Sequence, residues 1–457
     1  MKKVYFLFVA IIIFSFSSFA QNHDSIIIKK IADDILTNGT VYENLRYLCK
    51  KIGPRLSGSA NAQKAVLATA RMLKEAGADT VYMQPCMVPH WVRGAKETGY
   101  IKLAGNPKFN LHLTAIGNTI ATPAAGVTAA VIEVKSMAEL QQLGSKFIKG
   151  KIVFFNIEMN PTYVNTFQAY GENGAGRRSG PAQAAKYGAV GVMVRSLASN
   201  VNDYPHTGST VYSDSFPKIP AVCISTKDAN WLSGQLKLKK VTTAYFKTSC
   251  KMLADAQSFN VIGEMRGTEF PNEIISVGGH LDSWDLAEGA NDDGSGVTQS
   301  IEIIRALKAN GIKPRRTIRA VMFMNEENGG RGGEAYLQNA LQKKELHIFA
   351  LESDEGGFSP RGFSVEMTEE KEQRIKQWLP LFYNYGVYFM ETGGSGSDVG
   401  PLRTTGAALA GLSPDSQRYF DIHHAATDVF ENVSERELKL GAVNMAALIW
   451  LVSEYGL

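Results

Sequence analysis

Cysteine is scarce in this chain of 457 residues: Cys49, Cys86, Cys223 and Cys250 are all it has. Four thiols allow three pairings and cannot make a dense cross-linked framework, so packing is expected to hold the fold. An excess of charge is missing too. Lys and Arg number 48 against 44 Asp and Glu, a net of +4, and two of those positive charges, Lys2 and Lys3, stand at the N-terminus. This balance gives no electrostatic footprint for nucleic acid or an anionic membrane. Gly 43 and Pro 16 fall short of collagenous or disordered levels. Long apolar runs are also lacking, since the run over residues 4–16 is shorter than the roughly 20 residues that span a bilayer. With Lys2 and Lys3 before it and Ser18-Phe19-Ala20 after it, that run has the form of a cleavable secretory leader, cut after Ala20. A secreted or periplasmic product without a membrane anchor is expected.

What the chain has is length and an ordinary apolar share, 44%, enough for two or three domains with a large core. Apolar periodicity predicts helices from Asp24 or Ser25 to Gly39, from Asn61 to Glu75, and from Ser434 onward, where Glu437 completes a capping box. Residues 116–255 change texture: short β-branched runs alternate with Gly, Pro and Ser clusters, which reads as an inserted β-rich domain between two parts of another, residues 21–115 and 256–457. After about residue 259 strands and helices alternate. The predicted fold class is therefore α/β, with a mostly parallel sheet covered on both faces and ligand sites beyond the strand ends.

Polar residues gather at those predicted strand ends. Gly279-His280-Leu281-Asp282 follows one apolar strand, and Asn291-Asp292-Asp293 opens the next helix. Asn325-Glu326-Glu327-Asn328 and Glu352-Ser353-Asp354 end two further strands, and His423-His424 stands before Asp428. Each has an ordinary explanation alone, such as a solvated acidic turn or a carboxylate at a helix N-terminus. Together they offer imidazole and carboxylate donors in the number that two adjacent zinc ions require, plus one spare carboxylate. Adjacent Glu326 and Glu327 suit that division, one on a metal and one on the attacking water, and the chemistry so assembled is hydrolysis of an amide or peptide bond.

These motifs resemble those of the co-catalytic di-zinc exopeptidases, a family of aminopeptidases, carboxypeptidases and dipeptidases. The likeness extends to Gly53-Pro54-Arg55-Leu56-Ser57-Gly58-Ser59, Pro89-His90-Trp91 and Pro205-His206-Thr207-Gly208. It implies two Zn²⁺ per chain held by His280, Asp292, Glu327, Asp354 and one of His423 and His424. His424 is the better match, being four residues before Asp428. It also implies that Asp292 bridges the ions, that Glu326 is the general base acting on a metal-bridging hydroxide, and that Asp282 orients His280. A protease-associated insertion and a homodimer are implied as well, with peptides or dipeptides as substrates. The resemblance leaves open which terminus is trimmed, and it includes receptors that have lost ligands and single-zinc glutaminyl cyclases. Asp398, Ser397, Tyr419, His423 and His206 are the candidate substrate contacts.

Overall fold

The computed structural model describes residues 23–457, so the predicted leader and its cleavage point lie outside the described residues. Helix α1 covers residues 23–38 and buries Ile28, Ile31 and Ile35. Helix α2, Ala60–Glu75, starts at Ser59, whose hydroxyl accepts the Ala62 N–H at 3.1 Å. Three further helices matter here: α3 (Ser295–Ala309), α4 (Arg331–Lys343) and α5 (Glu435–Tyr455). At the start of α5 the Ser434 hydroxyl accepts the Glu437 N–H, but the Glu437 carboxylate takes the Ser359 hydroxyl and Arg418, so only half of the capping box forms.

One sheet of eight strands organises the chain. Its strands are β1 (Thr80–Val92), β2 (Lys251–Met265), β3 (Phe270–His280), β4 (Arg316–Phe323), β5 (Leu346–Glu352), β6 (Pro360–Glu366), β7 (Phe389–Thr392) and β8 (Ala408–Pro414), in the spatial order β1-β2-β4-β3-β5-β8-β6-β7. The central four, β4, β3, β5 and β8, are parallel. The flanks are mixed: β1 with β2, β2 with β4, and β6 with β8 pair antiparallel, and β6 with β7 parallel. The sheet is thus mixed, which corrects the mostly parallel sheet read from the alternation of elements. Parallel neighbours need a crossover, which α3 and α4 supply, whereas only residues 266–269 separate β2 from β3 and the chain must reverse there. Alternation along β4 shows both faces covered. Ile318, Ala320 and Met322 join α2, α3 and α5 on one side, and Val321 and Phe323 meet Tyr336 of α4 on the other.

Between β1 and β2 the chain leaves this sheet and builds two more. Five strands run in the order Leu113–Ala115, Ala221–Ile224, Gly191–Arg195, Ile152–Phe155, Val131–Val134, and four in the order Lys108–Asn110, Thr98–Leu103, Val241–Lys247, Val127–Ala129. Sheet membership therefore begins nearer residue 98 than 116 and ends before β2 starts at Lys251. The five-stranded sheet is mostly parallel and carries helices on the face of Val153 and Phe155, while Ile152 and Phe154 pack towards the four-stranded sheet. Helices and strands are mixed here, where the sequence suggested strands. All four cysteines are free and buried.

Candidate active site

Parallel pairing puts the C-terminal ends of β3, β4 and β5 side by side, with His280 opposite Phe323 and Gly278 opposite Glu352. The loops that follow carry nearly all the polar motifs of the sequence. Close packing fixes them: a Cβ on Gly296, in the first turn of α3, would stand 1.8 Å from the Ser353 carbonyl, so only glycine lets the helix approach the loop after β5. Asn325 follows β4 at φ +75°, a turn its side chain tolerates and which the Ser57 hydroxyl and Asn328 secure. Beyond that turn Glu327 points inward, while the half-buried Glu326 lines a cavity of about 170 Å³.

The five predicted ligands come together. His280 Nε2 lies 2.9 Å from Asp354 Oδ1 and 3.0 Å from Asp292 Oδ1. His424 Nε2 lies 3.2 Å from Asp292 Oδ2 and 3.1 Å from Glu327 Oε2. The two oxygens of Asp292 thus face two separate imidazoles, each with a second carboxylate of its own. His423 stacks on His424 with ring centroids 3.6 Å apart and reaches Asp292 Oδ2 at 3.5 Å, but only His424 also meets Glu327. The ligand atoms of His280, Asp292 and Asp354 lie within 4.8 Å of one another, as do those of Asp292, His423 and His424. With Glu327 beside His424, these imidazole and carboxylate donors suit a divalent ion of the zinc type.

The electrostatics point the same way. Burial raises the Glu327 carboxyl to about 8, reinforced by Asp292 beside it, and raises Asp354 to about 6 against the pull of His280. Burial alone would depress both imidazoles, yet the surrounding carboxylates hold His280 and His424 well above the usual histidine value. Asp292, between the two, is held well below its usual value despite burial. Crowded like charges of this kind are relieved by a cation among them.

Other predicted residues take different places. Asp282 reaches His280 Nδ1 through its backbone carbonyl, at 3.0 Å, with its carboxylate 3.9 Å away. That carboxylate accepts the N–H groups of Asn325 and Glu326 and so anchors the turn carrying the two glutamates. Asp428 likewise accepts the N–H groups of Asn291 and Asp292 rather than meeting a histidine. Tyr419 lines the cavity and donates to the Asp354 carbonyl at 3.1 Å. Asp398 and Ser397 do not line it: their N–H groups bind the buried Glu352 carboxylate, and the Asp398 carboxylate is itself buried without a hydrogen-bond partner. His206 is buried behind His423 and contacts its carbonyl.

Three residues went unread as site residues. Arg55, fully buried, donates to the carbonyls of Leu281, Glu288 and Gly289 and braces the loop after β3; its Gly-Pro-Arg motif was the available signal. Arg177 and Arg178, at the end of the helix Thr166–Arg178, line the cavity from the middle segment. Nothing in their local sequence pointed to the metal-binding motifs so far along the chain.

Comparison with known proteins identifies the family. Residues 260–449 match the model of Peptidase family M28. Human carboxypeptidase Q is 34% identical over 417 residues, covering 91% of this chain and 84% of the relative, and the Xenopus laevis protein is 34% identical over 416. The crystal structure of a Peptidase M28 precursor from Shewanella amazonensis superposes with a TM-score of 0.90 at 29% identity, covering 95% of this chain and 97% of that one. A zinc aminopeptidase from Bacillus subtilis shares the fold, with a TM-score of 0.62 at 21% identity over 89% and 93% of the two chains. The chain belongs to peptidase family M28, and it is a metallo-exopeptidase.

Proposed function

We propose that this protein is an exported exopeptidase of the carboxypeptidase Q type, hydrolysing dipeptides or short peptides with two zinc ions per chain. The observation that carries the two-ion reading is Asp292, whose carboxylate oxygens face His280 at 3.0 Å and His424 at 3.2 Å. His280, Asp292 and Asp354 would hold one ion, and His424, Asp292 and Glu327 the other. When bound, such ions supply Lewis acidity at the scissile carbonyl and neutralise the charge that develops on its oxygen. Glu326, in the cavity but outside the ligand set, takes the proton of the attacking water and passes it to the leaving amine. The Asp282 carboxylate keeps that glutamate in place by holding its backbone N–H at 3.1 Å.

Arg178 supports action at the carboxyl end. It is exposed on the wall of the cavity, and its guanidinium has no ion-pair or hydrogen-bond partner among the described residues. A free substrate carboxylate is the natural complement of such a group. The middle segment, which brings Arg177 and Arg178 to the site, fits the role of a protease-associated insertion. Elemental analysis of the purified protein, with assays of dipeptides and of tripeptides blocked at one end or the other, tests this reading. Two zinc per chain and cleavage only where the carboxyl end is free are expected. Cleavage only where the amino end is free would make the protein an aminopeptidase, and absence of bound metal would remove the mechanism.

A further inference from the structure

The two imidazoles of the centre are held by different parts of the chain. His280 ends a central strand, and its Nδ1 contacts the carbonyl of Asp282, two residues away on the same loop. His424 has no such local support. Its backbone sits at φ +61°, in the left-handed region that residues other than glycine seldom adopt. Much of what holds it there comes from the middle segment, more than 200 residues earlier. The Thr207 N–H donates to the His424 carbonyl at 2.8 Å, and the Thr207 carbonyl accepts from His424 Nδ1 at 3.3 Å. A carbonyl cannot donate, so Nδ1 keeps its proton there, and Nε2, turned towards Asp292 and Glu327, is the nitrogen free to give up its proton to an ion. A bound ion needs that division of roles in its ligand.

Two buried side chains fix Thr207 and the loop it meets. Arg177 donates to the Thr207 carbonyl at 3.0 Å, and His206 Nδ1 donates to the neighbouring His423 carbonyl at 2.6 Å. The guanidinium passes so close to Gly208, at φ +129°, that a Cβ there would lie 2.3 Å from Arg177 Cζ. Arg177, His206 and Thr207 are all at least nine-tenths buried, at 7%, 1% and 0% exposure.

We propose that the middle segment retains one of the two ions: Arg177 and His206 are positioning residues that hold His424 in its ligating tautomer and backbone conformation. The proposal rests on the two-ion reading above and adds an asymmetry to it. The His424-side ion depends on docking of the middle segment, and the His280-side ion does not.

The test uses the full-length protein loaded with zinc and equilibrated in buffers of graded free zinc, with bound zinc read by elemental analysis. Arg177→Met and His206→Leu are expected to weaken one of the two ions by roughly 10–100-fold and leave the other as in the parent. His206→Asn, which keeps a donor near the Nδ1 position, should restore much of the loss. Turnover of the weakened variants should return in excess zinc, which a misfolded protein would not show. Unchanged affinity for both ions in both variants overturns the proposal, and so does equal weakening of both. If Arg177→Met fails to fold, the His206 pair decides by the same criteria. A parent protein that binds fewer than two zinc ions would instead remove the two-ion reading itself.

Discussion

The two ends of the central sheet handle buried charge in opposite ways. In the N-terminal half of β4, Arg319 is buried, with one guanidinium edge on Glu264 at 2.8 Å and another on Glu345 at 2.9 Å, and it also meets the Tyr336 hydroxyl. Burial works against the Glu345 carboxylate, but hydrogen bonds from His347 and Arg319 bring it down to about 2. At the C-terminal end Asp292, Glu327 and Asp354 crowd two histidines, and burial drives two of those carboxyls up to about 8 and 6. At one end a single guanidinium bonds both carboxylates and keeps Glu345 ionised. At the other, burial and neighbouring carboxylates push carboxyls up, and perturbation of that kind marks a functional centre more often than a purely structural cluster.

Glu326→Gln attacks the comparison at its functional end with the largest effect. Zinc content should stay at the parent level while kcat falls by at least roughly 10²–10⁴, the usual worth of a general base. Normal turnover in that variant would take Glu326 out of the proton-transfer role. Arg319→Met attacks the other end. It leaves Glu264 and Glu345 without their cation, and because both keep part of their surface in water the loss should be about 2–3 kcal/mol, below the ~3–5 of a fully buried pair. Denaturant unfolding measures it, and the kcat of the folded fraction should not change. A drop in kcat with stability intact would mean that the two ends are not independent.

The same contrast explains how much could be read from the sequence. The predicted ligands stand in short motifs at strand ends, so the motifs were legible from chemistry and spacing, and resemblance chose His280, Asp292, Glu327, Asp354 and His424 from among their residues. Glycines and turn residues around them were equally visible. The work of Arg55, Arg177 and Thr207 was not, because each acts on a loop far away in sequence, and a buried arginine bonding to carbonyls leaves no local pattern. Asp398 misled for a related reason. A carboxylate in a Gly-rich loop looks exposed, yet the loop folds back on Glu352 and buries it. Strand direction was misread at the flanks, since a count of strands and helices does not show that residues 266–269 are too few for a crossover.

A smaller effect is expected at the cavity wall. Arg178→Met should raise KM for substrates with a free carboxyl end by roughly tenfold, the order of one charge-assisted hydrogen bond near solvent, and change kcat little. Substrates amidated at that end should be bound equally by parent and variant. Equal losses on free and amidated substrates would show that Arg178 shapes the cavity without reading charge.

The gentlest probe is pH, applied to protein with and without zinc. In the metal-free protein Glu327 at about 8 and Asp354 at about 6 keep protons that the unfolded chain releases near pH 4, so native stability falls as pH rises through that interval. The raised values of His280 and His424 act in the same direction, since the stability they contribute is lost as pH rises through their native values. Asp292, held low, changes its contribution only in stronger acid. Zinc held by these five residues would keep them deprotonated and remove this slope. The Tm gained on adding zinc should therefore widen by several degrees from pH 5 to pH 8. Below about pH 4 both forms should weaken together as Glu345, at the other end of the sheet, is protonated and its pairing with Arg319 is lost. Parallel Tm curves from pH 5 to 8 would show that the crowded carboxylates are not relieved by the ion, and that the two ends of the sheet differ less than their geometry implies.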